Sequence, residues 1–299
     1  MNYLPFAPRG TTPLRVLAIA GSDSGGGAGI QADIRTCTAL GIHALCAVTA
    51  VTVQNTLGVK GFHKVPGNVI AAQIETVCHD IGLQAAKTGM LASAEIIVAI
   101  AQSWREHGPD APLVVDPVCA SMHGDPLLDS NAVDSLRVEL FPLATLVTPN
   151  LHEVGLLVDV DVVDTKSQRE AARALHALGP KWALVKGGHL HGTANSTDLL
   201  FDGTDFHEFH SARVDTIHDH GAGDTLAAAT ACALAHGYNV PDAVAFAKQW
   251  VTECLRAAYP LGHGHGPVSP LFRLSGNDAG VARMRSGADE PRPDLRPGP

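Results

Sequence analysis

Short aliphatic segments recur along the chain, and most of them stop at a cluster of glycine or polar residues. The first segment, RVLAIA at residues 15–20, runs into GSDSGGGAG at residues 21–29 and then into a helical pattern at residues 30–40. Uninterrupted aliphatic runs of this length are typical of strands buried on both faces of a parallel sheet. Because such segments alternate with helical ones, the sequence predicts an α/β fold with a mostly parallel central β-sheet and helices on both faces.

Several later predicted strands end in side chains that can bind ligands. These strand-end residues are Gln54, Met90, Asp116 and Lys186. The carboxyl ends of parallel strands meet at one edge of a sheet, and ligands of such folds bind along that edge. We therefore expect these four side chains to lie close together, with Glu153 beside them in the first turn of a helix that follows another strand.

The chain is predicted to form a single domain, because no linker or internal repeat interrupts the alternation. Its 299 residues, 45% of them hydrophobic, are enough for one large core. We expect a flexible lead-in over residues 1–13, the domain over residues 14–274, and a disordered tail over residues 275–299, which are poor in apolar side chains. The pattern also predicts a helix over residues 127–141.

The overall charge and the cysteines argue against several classes of protein. With a net charge of −9 and a pI near 5.9, the chain is not expected to bind nucleic acid. It contains no run of about 18 apolar residues, so no membrane-spanning helix is predicted. The six cysteines form no CxxC pair, and the sixteen histidines include no HExxH motif. We therefore expect a reduced, cytoplasmic protein without a histidine metal site.

The segment DTIHDHGAGDTLAAATACALAH, residues 215–236, changes from a polar loop to an alanine-rich helix. Gly221, Ala222 and Gly223 stand at that change, where a helix start leaves backbone N–H groups without partners. Those donors and the positive end of the helix dipole favour a bound phosphate. Asp224 follows directly, and its carboxylate would repel a phosphate unless it has a chemical role. The alternative is that Asp224 only stabilises the helix start, as acidic residues in a first turn commonly do.

Neither standard nucleotide signature is present at residues 21–29, which lack both a Walker lysine and the third glycine of GxGxxG. The strand-end residues nevertheless fit phosphoryl transfer. Asp116 and Glu153 are carboxylates suited to Mg²⁺, Lys186 is a cation for phosphate, and Asp224 is suited to accept the proton of an attacking hydroxyl. Each residue alone also fits a structural role in a turn, a helix start or the surface. Their joint placement at strand ends favours phosphoryl transfer.

Seven motifs together resemble one enzyme family. In chain order they are GSDSGGGAGIQAD (21–33), VTVQNT (51–56), KTGML (87–91), VVDPV (114–118), TPNLHE (148–153), VKGGH (185–189) and HGAGDT (220–225). They are similar to those of the bacterial hydroxymethylpyrimidine/phosphomethylpyrimidine kinases of thiamine biosynthesis, in the ribokinase-like superfamily. The residues of these motifs are most similar to those of the actinobacterial form of that family. The resemblance extends over residues 15–270.

The resemblance implies a homodimer that uses ATP and Mg²⁺. It implies two phosphorylation steps at one site, first on the hydroxymethyl group of 4-amino-5-hydroxymethyl-2-methylpyrimidine and then on the resulting monophosphate. By the same resemblance, Lys186 and the 221–223 loop would face the ATP phosphates, and Asp116 and Glu153 would lie near Mg²⁺. The residues implied for the pyrimidine pocket are Gly21, Ala28, Asp33, Thr52, Gln54 and Met90.

Side-chain chemistry agrees with two members of that pocket. The Gln54 carboxamide offers both a donor and an acceptor for an aminopyrimidine edge, and Met90 offers an adaptable apolar surface. Two positions depart from the family. Asp224 stands where the best-known members have cysteine, as in the sugar-kinase branch of the superfamily, and Thr52 stands where an aliphatic residue is usual.

Two other functions stay open at this stage. A pyridoxal kinase would act on another aromatic nitrogen ring that carries a hydroxymethyl group. A ligand sensor would keep the fold but not the catalysis. Asp224, Lys186 and Glu153 argue against the sensor, because a protein that only binds its ligand has no need of a base.

Overall fold

The computed structural model describes residues 3–121, 124, 127–129, 131–188 and 195–275. The strands are β1 (Arg15–Ser22), β2 (His43–Asn55), β3 (Gly58–Lys64), β4 (Ala85–Thr88), β5 (Leu113–Val115), β6 (Leu146–Val147), β7 (Trp182–Val185), β8 (Asn195–Phe201) and β9 (Phe206–Ala212). The helices are α1 (Gly29–Ala39), α2 (Gly67–Asp80), α3 (Ala94–His107), α4 (Ala132–Ser135), α5 (Leu151–Val158), α6 (Thr165–His176), α7 (Ala222–Ala235), α8 (Val240–Arg256) and α9 (Phe272–Ser275).

Within the described ranges, the strands join into one sheet in the order β3-β2-β1-β4-β5-β6-β7-β8-β9. The six strands from β2 to β7 in that order run parallel to their neighbours. Strand β3 at one side, and β8 and β9 at the other, are antiparallel. The predicted mostly parallel sheet is therefore confirmed, and the carboxyl ends of its parallel strands share one edge.

Helices cover both faces of the sheet and enclose two apolar layers. Leu17 and Ile19 of β1 pack into one layer with α2, α3, α5 and α6, whereas Val16 of the same strand packs into the other layer with α1, α7 and α8. This division follows from the alternation of side chains along a strand. In the second layer, Trp250 of α8 is completely buried. The predicted arrangement of helices on both faces is confirmed.

Helix α7 is the most deeply buried helix of the second layer. All ten residues from 225 to 234 are buried, and half of them are alanines. Alanine is the strongest helix former, and its small side chain lets the helix backbone approach its neighbours closely. The helix packs against β1, β4 and β5 as well as against α1 and α8. Its first turn consequently lies at the edge where those strands end.

Two elements differ from the sequence prediction. Strand β3 is not predicted, because GVKGFHK has two glycines and no clean apolar alternation, and most of its side chains are only partly buried. The helix predicted over residues 127–141 begins only at Ala132 and continues as a π-helical turn (Leu136–Leu140) and a 3₁₀ turn (Phe141–Leu143). Pro142 cannot continue the α-helical hydrogen bonding there. Residue 130 of that prediction lies outside the described residues.

Part of the predicted flexible lead-in packs against the domain. Leu4 is completely buried, and the Arg273 guanidinium donates to its carbonyl oxygen across 3.0 Å. The same guanidinium lies 4.2 Å from the centroid of the Phe6 ring. Residues near both ends of the described chain therefore pack together. The predicted disordered tail lies, apart from Ser275, outside the described residues.

All six cysteines are free thiols. Cys37 of α1 and Cys232 of α7 lie side by side in the second apolar layer, with their sulfur atoms 3.6 Å apart. In the part of the chain that the structure describes, no helix combines the length and the apolar character needed to cross a membrane.

Candidate active site

The glycine-rich loop after β1 is organised by Asp23, whose importance the sequence analysis missed. One carboxylate oxygen accepts from the N–H of Gly25 at 2.7 Å, and the other accepts from the N–H groups of Gly27 and Ala28 at 2.9 Å each. Burial acts to raise the pKa of Asp23, but its hydrogen bonds with His220, Ala28 and Gly25 outweigh burial and hold the pKa below its usual value.

This loop interlocks with the loop that begins α7. Nε2 of His220 lies 3.0 Å from a carboxylate oxygen of Asp23. A Cβ atom at Gly221 would overlap with the carbonyl oxygen of Gly27, so only glycine allows this approach. Gly221 also has a φ of +79°, which favours glycine. The two glycine-rich segments predicted from the sequence are therefore in direct contact.

The N-terminus of α7 lies beside the charged ends of β5 and β7. Gly221 precedes the helix and supplies no side-chain cap. A Cβ atom at Gly223 would stand 3.3 Å from Oδ2 of Asp116 and 3.5 Å from Nζ of Lys186. The start of α7 and these two charged groups thus surround a common space. Backbone N–H groups and a lysine at one point are groups suited to bind a phosphate.

Both oxygens of Asp224 are held by donors from other elements. Oδ1 accepts from Nζ of Lys87 at 3.2 Å, and Oδ2 accepts from the N–H of Gly29 at 3.1 Å. The Asp224 side chain is 14% exposed, whereas that of Lys87 is completely buried. The Asp224 carboxylate is thus fixed by two donors and remains partly exposed to solvent.

Lys87 joins Asp224 to the predicted pocket residue Asp33. Nζ lies 2.9 Å from Oδ1 of Asp33, and both side chains are completely buried. Burial raises the pKa of Asp33 to about 7 even though the charge of Lys87 opposes the shift. For Lys87, burial acts to lower the pKa, but the nearby carboxylates of Asp33, Asp224 and Asp116 raise it above its usual value. In the sequence, Lys87 is the first residue of the KTGML motif, and its two carboxylate partners lie in distant segments.

A second ionic cluster lies across the start of α7. Nζ of Lys186 lies 3.0 Å from Oδ1 of Asp116, which also accepts from the Thr148 hydroxyl at 3.1 Å. Glu153 and Asn150 form a capping box at the start of α5, with reciprocal bonds of 2.8 and 2.9 Å. Burial raises the pKa of Glu153, against the effect of Lys186 and with the help of Asp116.

The residues of this cluster fit a magnesium ion bound together with phosphate. Asp116 and Glu153 are buried carboxylates, and the charge of Asp116 helps to raise the pKa of Glu153. Among the described residues, no group of three or more His, Cys, Asp or Glu side chains could hold a metal. Mg²⁺ commonly takes one or two carboxylates and completes its shell with water and phosphate oxygens. Two carboxylates beside a helix start that is suited to phosphate match that requirement.

The remaining predicted pocket residues gather around the first glycine-rich loop. A Cβ atom at Gly21 would lie 3.1 Å from the sulfur of Met90, so the two are in contact. The Thr52 hydroxyl donates to the carbonyl oxygen of Ser22 at 3.0 Å. Nε2 of Gln54 lies 3.5 Å from Nε2 of His220. Asp33 differs from the others because its carboxylate is turned toward Lys87 and completely buried.

Comparison with known proteins identifies the family. The model of the phosphomethylpyrimidine kinase family matches residues 23–269. A hydroxymethylpyrimidine/phosphomethylpyrimidine kinase of Mycobacterium leprae is 70% identical over 277 residues, which cover 91% of this chain and 99% of that protein. A kinase of the same name from Streptomyces coelicolor is 53% identical over 263 residues, which cover 88% of this chain and 96% of that protein.

Solved structures share the fold. A pyridoxal kinase of Bacillus subtilis in complex with ADP is 33% identical, with a TM-score of 0.80 over 88% of this chain and 100% of that one. A phosphomethylpyrimidine kinase of Clostridium difficile is 38% identical, with a TM-score of 0.71 over 80% of this chain and 98% of that one. The fold, the order of the motifs and these identities lead to one conclusion: the chain belongs to the phosphomethylpyrimidine kinase family, on a ribokinase-like fold.

Proposed function

We propose that the protein transfers phosphate from ATP to the hydroxymethyl group of 4-amino-5-hydroxymethyl-2-methylpyrimidine, and then to the resulting monophosphate, in thiamine biosynthesis. One observation carries this proposal: the carboxylate of Asp224 is fixed at the start of α7, directly beside the predicted phosphate site. The mycobacterial relatives that are 70% identical carry the name of this activity.

In this proposal, Asp224 accepts the proton of the attacking hydroxyl group. The N–H groups of residues 221–223 and the ammonium of Lys186 face the transferred phosphate, whose charge they stabilise. The proximity of Gly223 to Lys186 supports this assignment, because a Cβ atom at position 223 would lie only 3.5 Å from the lysine Nζ. The base and the anion-binding groups would then act within a few ångström of each other, as an in-line transfer requires.

Magnesium is proposed to bind at Asp116 and Glu153, where it would neutralise phosphate charge. The support is the buried position of both carboxylates beside Lys186. Oδ1 of Asp116 already accepts from Thr148 and Lys186, and this fixes the orientation of the carboxylate. The helix start that Glu153 caps fixes the second carboxylate in the same way.

The pyrimidine is proposed to lie against the first glycine-rich loop. Met90 and Gly21 would contact the ring face, and Gln54 would pair with the aminopyrimidine edge. Ala28 and Thr52, on the loop and on the adjacent β2, would complete this pocket. Asp33 stays a predicted pocket residue that in this structure contacts Lys87 instead.

Pyridoxal kinase activity is the second candidate, because several structures with the same fold carry that name. A pyridoxal kinase of Staphylococcus aureus, in complex with pyridoxal, is 32% identical with a TM-score of 0.79. That identity is well below the 70% found for the mycobacterial pyrimidine kinases.

A three-acceptor assay tests the proposal. ATP-dependent phosphorylation of the pyrimidine alcohol, its monophosphate and pyridoxal is measured side by side, with a substrate-free reaction as the control. We expect comparable rates on the two pyrimidines and a negligible rate on pyridoxal. A preference for pyridoxal would contradict the proposed substrate.

We further propose a kinase domain over residues 14–274 that acts as a homodimer in the cytoplasm. The support is the family resemblance described above. Light scattering of the purified protein measures the mass in solution. A mass of one chain at the concentrations of the assay would contradict the dimer.

A further inference from the structure

Lys87 is a buried lysine that contacts two carboxylates. Its Nζ atom lies 2.9 Å from Oδ1 of Asp33 and 3.2 Å from Oδ1 of Asp224. The side chains of Lys87 and Asp33 are completely buried. Removing an ionic pair from water is costly, and buried pairs are often no more stabilising than apolar residues of the same size. The energetics of folding alone therefore give little reason for an ionic group here.

The space around the contact between Lys87 and Asp224 is kept open by Gly89. A Cβ atom at position 89 would lie 3.1 Å from Nζ of Lys87 and 3.4 Å from Oδ1 of Asp224. It would also lie 3.1 Å from the Cβ of Ala20. The glycine of the KTGM segment thus leaves just enough room for the lysine to reach the carboxylate.

The charges around Asp224 depend on Lys87. Asp33 faces the site from α1, Asp116 from the end of β5 and Lys186 from the end of β7. With Lys87, the four carboxylates of Asp33, Asp116, Glu153 and Asp224 face two ammonium groups. Without it, the same four carboxylates would face one ammonium group that is already paired with Asp116. The local field would then favour protonation of a carboxylate.

We propose that Lys87 is a positioning residue for phosphoryl transfer: anchored on Asp33, its ammonium group orients the Asp224 carboxylate and keeps it negatively charged. The inference rests on the proposed role of Asp224 as the proton acceptor. Lys87 fixes Oδ1 while the N–H of Gly29 fixes Oδ2, so β4 and α1 together determine the plane of the carboxylate. Each oxygen keeps a second lone pair for the substrate proton.

A cysteine at position 224 turns this electrostatic effect into a spectroscopic signal. The ultraviolet absorbance of the thiolate in Asp224→Cys is titrated against pH, with Asp224→Ser as the blank. Burial raises the pKa of Cys46 to about 11 and that of Cys119 to about 12, so these thiols stay protonated over the range of interest. The blank removes the absorbance of the other native thiols.

We expect the new thiol to ionise below the value of about 8.5 that is usual for cysteine, because a lysine lies beside it. Adding Lys87→Met should raise the midpoint by roughly one to three pH units, the range that a neighbouring charge produces. Adding Lys87→Arg should keep the midpoint low. An unchanged midpoint after the loss of the lysine would overturn the inference.

Lys248→Met is the matched control. Lys248 is also a buried lysine, paired with Asp198 at 2.8 Å, and Asp198 accepts from the N–H of Gly187 just after β7. Its removal should lower stability without moving the thiol titration. If Lys87→Met does not fold, the double variant Lys87→Met/Asp33→Asn removes the buried charges together and takes its place. Equal midpoint shifts from Lys248→Met and Lys87→Met would also overturn the inference.

Kinetics of the enzyme with Asp224 intact complete the test. Lys87→Met should lower kcat at neutral pH at least tenfold, with a smaller change in KM, and move the acidic limb of the kcat profile to higher pH. Lys87→Arg should restore part of the rate. A fall in kcat with an unmoved acidic limb would contradict the inference but leave the proposed function intact. Conversely, full turnover in Asp224→Asn would contradict the proposed role of Asp224 as the proton acceptor, whereas the thiol titration does not depend on activity.

Discussion

The backbone N–H of Gly29 donates to Oδ2 of Asp224 across 3.1 Å, although the two residues lie 195 positions apart in the sequence. Gly29 begins α1, and Asp224 stands in the first turn of α7. The proposed base is therefore held by the same loop that is proposed to bind the pyrimidine. Binding of one substrate and orientation of the base are structurally connected.

Asp224→Asn should separate the two phosphorylation steps. The hydroxyl group of the first acceptor must lose a proton, and removing a general base lowers such a rate by roughly 10²–10⁴-fold. A phosphate monoester has a second pKa of about 6, so its attacking oxygen is already deprotonated at neutral pH. We expect the second step to fall less than about tenfold. Initial rates with each acceptor, and pyrimidine binding measured by calorimetry, check this.

The control for that experiment is Asp219→Asn, a half-exposed carboxylate in the loop before α7. This substitution should leave the rates of both steps close to those of the unmodified enzyme. Equal losses of both steps in Asp224→Asn, together with a loss of pyrimidine binding, would mean that Asp224 only holds the structure.

Gly221→Ala should lower both stability and catalysis. A Cβ atom there overlaps with the carbonyl oxygen of Gly27, and the φ of +79° is unfavourable for alanine. Gly237→Ala is the matched control, because its φ is +82° and no heavy atom lies within 4 Å of the added Cβ. Left-handed backbone alone should lower the free energy of unfolding by about 1–2 kcal/mol in both variants.

Only Gly221→Ala should show a further decrease in the free energy of unfolding and a fall in kcat/KM for both substrates. Urea denaturation and steady-state kinetics measure the two effects. Similar results for the two glycines would show that the contact between the loops is not needed.

Asp23→Asn should destabilise the protein at neutral pH. It should also reduce the loss of stability that acidic pH causes. The depressed pKa of Asp23 means that its stabilisation is fully present above the unfolded value of about 3.9. That stabilisation is lost as the pH falls through the folded value. An asparagine amide cannot accept from three N–H groups and His220 together, and a lost bond to a charged group costs about 1.5–3 kcal/mol.

Thermal unfolding at pH 7 and near pH 3 measures the effect. The difference in Tm between Asp23→Asn and the unmodified protein should be larger at pH 7 than near pH 3. A difference that stays constant or grows toward pH 3 would contradict this account of Asp23.

Glu153→Gln should raise the concentration of Mg²⁺ required for activity by about tenfold or more, because a proposed metal ligand loses its charge. Glutamine can still accept from the backbone N–H of Asn150, so the capping box of α5 is kept and stability should change little. The activity is measured against Mg²⁺ at fixed ATP. Glu95→Gln, in the first turn of α3, is the control and should leave the Mg²⁺ dependence unchanged.

The strand ends and the start of α7 could be predicted because their signals are local. An aliphatic run followed by Asp116 or Lys186 identifies a strand and the side chain at its end. The partners of these side chains were not predictable in the same way. Lys87 contacts Asp33 and Asp224 across 54 and 137 positions, and nothing in AAKTGM reveals that the lysine points into the interior.

Asp23 was overlooked for a related reason. In the sequence it is one polar residue within a glycine-rich loop, and its three N–H partners become visible only when the loop is folded around it. Strand β3 was not predicted because its apolar pattern is weak. An edge strand pairs with only one neighbouring strand and tolerates such a pattern.

Helix α7 carries Asp224 in its first turn and is buried along the ten residues that follow. The proposed base and part of the buried core therefore belong to one helix. A substitution such as Ala228→Gly, at a completely buried position four residues after the proposed base, should loosen the helix and slow turnover together. For anyone who engineers this enzyme, thermal stability and catalytic rate are therefore not independent quantities along α7, and screening for one will select on the other.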